Sequence, residues 1–435
     1  MTASAAPDTP PLKGPSAKQV AGVVAGNALE FYDFLTYSFF AVQIGQTFFP
    51  SKNPTASLLA SLATFGAGFL TRPVGAWVIG RYADRVGRKP AMLLSFALMG
   101  AAIIGLALTP SFSQIGLAAP ILAIGFRLIQ GFALGGELGP STAYLVEAAP
   151  PTRRGLYVSL QYMGQDGAIL CAGLMGVALA GVMGPDALRD WGWRIAFLVG
   201  AVIVPFGLVL RRDLVETLDQ NPAADPAVDL AAGGQSYRVV AILGLILLAS
   251  GTVVSYLLSY LTTYATATLH MPAQIAFGAT VVLGLTGVCF DVIGGWLSDR
   301  FGRKPMMMAP WALLLVTAAP LFYAISHYRS ALALFAATAL LQVMSCIASA
   351  AVLVALTESL PRRVRSGTLA LVYALAMCGF GGTAQFNVTW LTAATHSPMA
   401  PAWYMTVCVG LGLLAMFGLK ETAPRAVRDR RAAAS

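Results

Sequence analysis

The chain has 435 residues, of which 57% are hydrophobic and only 11% are charged. Soluble globular domains carry about a quarter charged residues, so this composition excludes a soluble enzyme or a soluble binding module. The net charge of +9 could suit a nucleic-acid partner, and the positions of the Lys and Arg residues decide whether it does.

Apolar stretches long enough to cross a bilayer recur along the whole chain. About 20 helical residues cross the hydrocarbon core, and continuous apolar runs are typical of helices, whereas membrane β-strands would alternate. The sequence therefore predicts an all-α membrane protein with twelve transmembrane helices in two six-helix bundles. The predicted spans are 20–48, 56–80, 90–109, 119–147, 155–183, 192–210, 238–266, 274–298, 305–325, 331–359, 366–392 and 401–419.

One polar segment divides the twelve spans into two groups of six. The predicted units are a cytoplasmic tail (1–19), a first bundle (20–211), a cytoplasmic linker (212–236), a second bundle (237–420) and a cytoplasmic tail (421–435). With the first helix leaving the cytoplasm, 22 of the 28 Lys and Arg residues lie on cytoplasmic segments. This positive-inside pattern places both termini in the cytoplasm and argues against nucleic acid as a partner. No cleavable signal peptide is recognised, so the first helix is expected to remain as an anchor.

Motifs of enzymes and cofactor sites are not found. The five cysteines lie in apolar spans without paired spacing, as small core residues do. No His/Glu metal spacing, nucleophile elbow or phosphate loop is present. The sequence therefore predicts neither an enzyme nor a bound metal or cofactor. A sensor is also disfavoured, since both tails are short for an output domain.

Two near-copies of one charged motif lie in the two halves. Residues 80–90 read GRYADRVGRKP, and residues 295–305 read GWLSDRFGRKP. A second pair of similar segments begins at Glu147 and at Glu358, with nearly the same separation. Such duplication indicates a transporter built from two related halves.

These motifs resemble those of the major facilitator superfamily over nearly the whole chain. Four further segments resemble its metabolite:proton symporter family: GNALEFYDF at 26–34, GFLTRPVG at 68–75, RLIQGFALGGE at 127–137 and WGWRIAF at 191–197. Within that family, the sequences of these segments are most similar to those of the citrate and α-ketoglutarate carriers. The resemblance implies a major facilitator fold, in which the first, fourth, seventh and tenth helices line a central cavity.

Ionisable residues inside the predicted spans are the first candidates for function, because each costs about 3 kcal/mol in a bilayer unless paired or hydrated. Glu30, Asp33 and Tyr37 share one face of the first helix, and Arg127 and Glu137 share one face of the fourth. An arginine offers a permanent charge and a planar fork that matches a carboxylate. A substrate carboxylate that engages the arginine would free a neighbouring acid to take up a proton.

The candidate residues therefore form two sets. The predicted proton-coupling acids, with Glu137 first, are Glu137, Asp33, Glu30 and Asp166. The predicted substrate-binding residues are Arg127, Arg72, Tyr37, Gln130, Gln161, Gln165, Tyr256, Tyr260, Gln342, Tyr373 and Gln385. Two alternatives stay open: Arg127–Glu137 or Arg72–Asp33 could be static ion pairs, and the tyrosine ladder 256/260/264 more often packs than binds. The roles of Asp166 and Asp291 also stay open: Asp291 lies about two turns from the cytoplasmic loop, as a gate residue would, whereas additional acids in the spans would suit more protons per cycle or a substrate with a cationic group.

By resemblance, the charged loops latch the two halves together on the cytoplasmic side. The expected gate residues are Asp84, Arg85, Gly87, Arg88, Glu147, Arg154, Asp299, Arg300, Gly302, Arg303, Glu358 and Arg365. If these loops only set the orientation of the chain in the membrane, their basic residues would be explained. The aspartates and the spacing of the glycines would not be.

The sequence thus predicts a multi-pass, monomeric protein of the inner cell membrane, with lipids, protons and a small organic anion as its partners. The predicted activity is proton-coupled uptake of a di- or tricarboxylate such as citrate by alternating access. Uptake of a zwitterionic osmolyte or of another, aromatic monocarboxylate is the alternative. A drug-efflux antiporter is disfavoured, because Gly184-Pro185 is not followed by a glycine pair.

Overall fold

The computed structural model describes residues 17–86, 88–135, 145, 149–150, 153–201, 236–360 and 362–423. Within these ranges every regular element is a helix. We number the long helices α1 to α12 in chain order. The first half contains α1 (Ala17–Phe39 and Ala41–Phe48), α2 (Pro54–Leu70 and Arg72–Val86), α3 (Arg88–Leu108), α4 (Ala118–Gly135), α5 (Arg154–Val182) and α6 (193–201).

The second half contains α7 (Tyr237–Ala267), α8 (Ala273–Phe301), α9 (Arg303–Tyr328), α10 (Ala331–Ser359), α11 (Arg362–Ala376 and Gly382–Thr395) and α12 (Ala400–Gly418). A π-helical turn, Met377–Gly381, joins the two parts of α11. Eight helical segments of the described chain are long and apolar enough to cross a membrane. The predicted all-α class with twelve helices is confirmed, and the cores of the predicted spans coincide with α1 to α12.

The predicted tails and linker fall mostly on residues outside the described ranges. Residues 1–16, 202–235 and 424–435 are not described. The proposed unit boundaries therefore stay predictions.

Glycines bring α2 and α4 into backbone contact. A Cβ added at Gly131 would overlap the carbonyl of Gly68, and one added at Gly135 would overlap that of Arg72. The Thr71 hydroxyl, at the break in α2, also donates to the Leu128 carbonyl at 2.7 Å. Small residues permit such close packing between membrane helices. The packing holds Arg72 and Arg127 at neighbouring levels of the first half.

Glycines also bring the two halves together, along α5 and α8. A Cβ at Gly284 would overlap the backbone of Leu170, and one at Gly155 would come within 2.7 Å of the Gly295 carbonyl. On the other side of the bundle, α2 meets α11 where a Cβ at Gly66 would overlap the Gly382 carbonyl. The two halves therefore pack closely on both sides of the space between them.

Candidate functional site: a central cavity and two buried charge clusters

A cavity of about 120 Å³ lies between the halves. Helices α1, α5 and α7 to α11 contribute its described lining. Five of the predicted site residues are part of that lining: Gln165, Asp166, Tyr256, Gln342 and Tyr373. Its polar lining also includes serines and a threonine of α7 and α10 that were not among the predicted site residues: Thr252, Ser255, Ser259, Ser345 and Ser349.

A chain of side chains links α1 to α4 beside this cavity. Arg127 donates from Nη1 to Oε1 of Gln130 at 2.7 Å. Gln130 donates from Nε2 to Oδ2 of Asp33 at 3.1 Å. All three side chains are at most 1% exposed. The predicted polar face of α4 thus meets the acidic face of α1, with an amide between the guanidinium and the carboxylate.

Aromatic rings surround the two buried arginines. Cζ of Arg127 lies 4.4 Å from the Phe34 ring centroid and 4.5 Å from that of Tyr37. Cζ of Arg72 lies 4.5 Å from the same Phe34 ring and 4.1 Å from that of Phe69. Ring faces attract a guanidinium but accept no ordinary hydrogen bond from it. We call Asp33, Gln130, Arg127 and Arg72 the arginine cluster.

The arginine cluster contains many polar atoms without partners. Among the described residues, no hydrogen-bond partner is found for Nε, Nη1 and Nη2 of Arg72, Nε and Nη2 of Arg127, Oδ1 of Asp33 or the hydroxyl of Tyr37. A buried charge without hydrogen bonds is costly. Such a concentration of orphaned donors is typical of a site that receives an anion or water.

The arginine cluster is closed off from the cavity in this conformation. Described residues of α4 do not line the cavity, contrary to the expectation that the α4 face opens to the substrate route. Tyr256 joins the two regions: its ring packs edge-on against Phe65 and Phe69, and it lies near Arg72 while lining the cavity. The aromatic rings of α1 and α2 fill the space beside the guanidinium groups.

The other tyrosines of the predicted ladder are occupied by packing. Tyr260 accepts from the Thr389 hydroxyl at 2.9 Å, and Tyr264 donates to the Pro398 carbonyl at 2.7 Å. Gln385 is also engaged, since its Oε1 accepts from Ser38 at 2.8 Å. These bonds connect helices, and within the ladder only Tyr256 lines the described cavity.

A second buried cluster joins the halves across the cavity. Asp166 of α5 accepts from Gln342 of α10 at 2.9 Å and from the Cys346 thiol at 3.7 Å. Ligand atoms of Asp166, Asp291 and Cys346 all lie within 4.8 Å of one another. Of the alternatives for Asp291, its position favours the cavity over the gate, because this residue of α8 is part of the cavity lining. We call Asp166, Asp291, Gln342 and Cys346 the acid-pair cluster.

The halves are also tied at the end of the bundle where α5 and α9 begin and α8 and α10 end, which we call the basic end. Asp299 accepts from the backbone N–H groups of Gly155 and Leu156, both at 2.9 Å, and so caps the start of α5. A carboxylate is stabilised at a helix N-terminus by the free N–H groups and the helix dipole. Arg303, itself 1% exposed, contacts Asp299 at 2.6 Å and Glu358 at 3.3 Å.

Other predicted gate residues have different positions. Arg154 reaches Glu358 at 3.9 Å. Arg300 stacks on Trp296 of its own helix, with Cζ 5.3 Å from the ring centroid. Arg85 is exposed. Gly302 has φ +106°, which a residue with a Cβ rarely adopts, and it permits the sharp turn from α8 into α9.

Several predicted site residues cannot be placed. Glu137, Glu147 and Gly87 lie outside the described residues, as do the side chains of Glu30, Asp84, Arg88 and Arg365. The side chain of Gln161 is described and is 3% exposed.

Comparisons with known proteins agree on one family. A sequence profile of the Major Facilitator Superfamily matches residues 24–291, and a profile described as "Sugar (and other) transporter" matches residues 211–429. The chain is 38% identical to a citrate-proton symporter of Klebsiella pneumoniae over 94% of this chain and 93% of that protein. It is 36% identical to an alpha-ketoglutarate permease of Escherichia coli strain K12, with 91% of each covered.

A more distant relative and a solved structure extend this result. A proline/betaine transporter of Escherichia coli strain K12 is 31% identical over 96% of this chain and 86% of that protein. The crystal structure of a D-xylose-proton symporter has the same fold, with a TM-score of 0.75 at 18% identity, over 94% of this chain and 98% of the other.

Proposed function

Since the chain belongs to the major facilitator superfamily of membrane transporters, we propose that it takes up a small organic anion of the di- or tricarboxylate class, such as citrate, together with protons. It is a secondary active transporter and not an enzyme. Its two six-helix bundles rock around the central cavity and open it to each side in turn.

The observation that carries this proposal is the pair of arginines. Five guanidinium nitrogens of Arg72 and Arg127 lack described hydrogen-bond partners, although both side chains are buried. Both groups lie within 4.5 Å of the ring centroid of Phe34. Two neighbouring positive charges repel each other, and an anion with two carboxylates could bind both of them. Guanidinium–carboxylate pairs are also among the strongest and most directional hydrogen-bonded pairs.

Proton coupling follows from the hydrogen-bonded chain of the arginine cluster. Gln130 connects Arg127 to Asp33 through bonds of 2.7 and 3.1 Å. A substrate carboxylate that binds Arg127 competes for its positive charge and so makes protonation of Asp33 more favourable. Binding of the anion and of the proton would then assist each other. Glu137 and Glu30 stay candidates for the same role on the sequence pattern alone.

Charge explains why the anion needs protons. Each negative charge moved into a cell works against the membrane potential by about 2.3 kcal/mol per 100 mV. A trianion must therefore travel with enough protons to offset its own charge. Two proton-binding acids would match a dianion.

The basic end acts in this proposal as the cytoplasmic gate. Asp299 and Glu358 of the second half bind α5 and Arg154 of the first half. These contacts must break when the cavity opens to the cytoplasm. The positive-inside pattern supports this orientation, with both termini in the cytoplasm and residues 212–236 as the cytoplasmic linker. A monomer contains the whole site, so we propose a monomeric protein surrounded by lipid.

Uptake by purified protein in proteoliposomes tests the proposal. Labelled citrate, α-ketoglutarate, glycine betaine and benzoate are offered with and without a pH gradient that is alkaline inside. We expect citrate or α-ketoglutarate to accumulate with the gradient, and a protonophore to abolish the accumulation. Protein-free liposomes are the control.

The outcomes separate the candidates. Accumulation of betaine alone would replace the anion by a zwitterionic osmolyte, the class named for the 31% identical relative. Accumulation of benzoate alone would retain proton-coupled anion uptake but change the substrate to an aromatic monocarboxylate. Efflux instead of uptake would overturn the direction of coupling.

A further inference from the structure

Asp166 and Asp291 face each other across the contact between the halves. Asp166 lies on α5 and Asp291 on α8, and both line the cavity. Gly287 of α8 allows the Asp166 side chain to approach this closely, because a Cβ at position 287 would overlap the Asp166 carboxylate. The side chains are 9% and 2% exposed, respectively.

The hydrogen bonds around the pair are incomplete. Asp166 accepts from Gln342 at 2.9 Å and from Cys346 at 3.7 Å. Oδ2 of Asp291 is buried, faces the same cluster and has no hydrogen-bond partner among the described residues. Burying an ionised carboxylate oxygen that receives no hydrogen bond costs free energy. Protonation of the carboxyl group removes the charge and lowers this cost.

The described cavity lining around the pair contains no compensating positive charge. The titratable groups that line the cavity with the pair are Tyr162 of α5, Tyr256 of α7, Cys346 of α10 and Tyr373 of α11. Helices α1 and α9 contribute only apolar and aromatic side chains, and no Lys, Arg or His is part of the described lining. Hydroxyl and thiol groups can donate hydrogen bonds but cannot neutralise a second negative charge.

The carboxylates of Asp166 and Asp291 have ligand atoms within 4.8 Å of each other. Two carboxylates this close in a low-dielectric environment do not both ionise. We propose that Asp166 and Asp291 share one proton and form a second proton-binding site, separate from the arginine cluster. The role of this site in transport extends the proposed proton symport and rests on that proposed function. Asp166, Asp291 and Cys346 could also each offer one ligand atom to a metal ion, but the hydrogen bonds from the Gln342 amide and the Cys346 thiol to Oδ2 of Asp166 fit a proton-sharing pair.

The position of the pair between α5 and α8 couples binding of the shared proton to movement of the two halves. While α5 and α8 are packed together, the carboxyl groups hold the proton between them. When the halves separate at this level, water reaches both groups, each can ionise, and the proton leaves. The proton is therefore taken up or released with the movement that opens the cavity, so the site adds one proton to each transport cycle.

Infrared spectroscopy of the full-length protein in lipid tests the site without any substrate. A shared proton produces a carbonyl band of a protonated carboxyl group at neutral pH. We expect the band in the natural protein and its loss in both Asp166→Asn and Asp291→Asn, because each asparagine supplies an amide donor in place of the proton. Asp186→Asn removes an aspartate whose side chain is 89% exposed and serves as the matched control that keeps the band.

A second variant keeps both carboxyl groups and guards against misfolding. Cys346→Ala removes one donor to Asp166 and is expected to shift the band without abolishing it. A band that is absent from the natural protein, or that survives unshifted in any of the three cluster variants, overturns the proposal. Binding of Zn²⁺ that requires both aspartates, together with absence of the band, would overturn it in favour of a cation site.

Transport separates this inference from the proposed function. In proteoliposomes with citrate, Asp291→Asn is expected to lower the number of protons per anion by one, measured from the reversal potential. Failure of all substrates to accumulate would reject the proposed anion uptake and leave the infrared result standing. An unchanged proton number in a variant that still transports citrate would show that the pair carries no proton in the cycle.

Discussion

The two buried clusters of this protein hold similar acids in opposite electrostatic surroundings. Asp33 in the arginine cluster is connected to a guanidinium through Gln130. Asp166 and Asp291 face each other, and the rest of the described cavity lining carries no charged side chain. An acid beside a fixed cation responds to the arrival of an anion, because the anion competes for that cation. An acid beside another acid ionises when the two carboxyl groups separate and water reaches them. The first cluster is therefore suited to couple a proton to substrate, and the second to couple one to movement.

The largest expected effect is at Arg127. Arg127→Ala leaves Asp33 and Gln130 without their cationic partner and removes one of the two anion-binding groups. Truncating one partner of a buried, hydrogen-bonded charge pair costs about 2–5 kcal/mol of binding free energy, so citrate affinity should fall by about 30-fold or more. Thermal-shift titration with citrate measures this, and Arg127→Lys is the matched variant that keeps the charge.

Arg127→Lys is expected to bind more weakly than the natural protein but more tightly than Arg127→Ala, because the point charge lacks the planar fork. Equal citrate affinity in all three proteins would place the anion site elsewhere. The arginines would then be structural cations held by aromatic rings.

A smaller and more selective effect is expected at Asp33. Asp33→Asn keeps a side chain that hydrogen-bonds to Gln130 but cannot exchange a proton. Citrate exchange between the two sides of the liposome membrane should continue, while accumulation driven by the pH gradient should fall to the level seen without a gradient. Counterflow and gradient-driven uptake measure the two quantities on one preparation.

Glu137→Gln sharpens the result for Asp33, since both acids are proposed for proton coupling. Retained accumulation in Asp33→Asn and lost accumulation in Glu137→Gln would assign the coupling proton to Glu137. The reverse result would assign it to Asp33.

The smallest expected effect is on stability, at the acid-pair cluster. Gly287→Ala adds a methyl group where the Asp166 carboxylate lies. Overpacking of this kind costs about 1–3 kcal/mol, so the melting temperature should fall and the infrared band of the pair should shift. Gly80→Ala is the matched control, because a Cβ there meets nothing within 4 Å. Equal melting temperatures in the two variants would contradict the close approach of α5 and α8.

Much of the fold could be predicted from hydropathy alone. The predicted span 331–359 coincides with α10, and the predicted span 155–183 differs from α5 by one residue at each end. Apolar runs of this length have few alternatives in a bilayer, since only a helix satisfies its own backbone there. The breaks in α1 and α11, at Phe40 and Met377–Gly381, were not predicted. Both lie inside continuous apolar segments.

The arginine cluster could be predicted in part. Charged residues in spans mark functional candidates, and helical spacing places Arg127 and Gln130 on one face of α4. That Gln130 stands between Arg127 and Asp33 depends on how α1 packs against α4. The tyrosine ladder shows the same limit: its spacing puts three rings on one face of α7, but Thr389 and Pro398 engage two of the three.

The sequence by itself determined the membrane class, the duplicated halves and the set of ionisable residues that a bilayer would otherwise exclude. These follow from the local cost of burying polar groups, which depends on chain composition and helical period. Only the tertiary structure decided which of these residues meet. Asp166 and Asp291 lie far apart in the chain, and they come together because glycines allow α5 and α8 to pack closely. Pairing across two halves is a property of helix packing, which spacing along a single helix does not reveal.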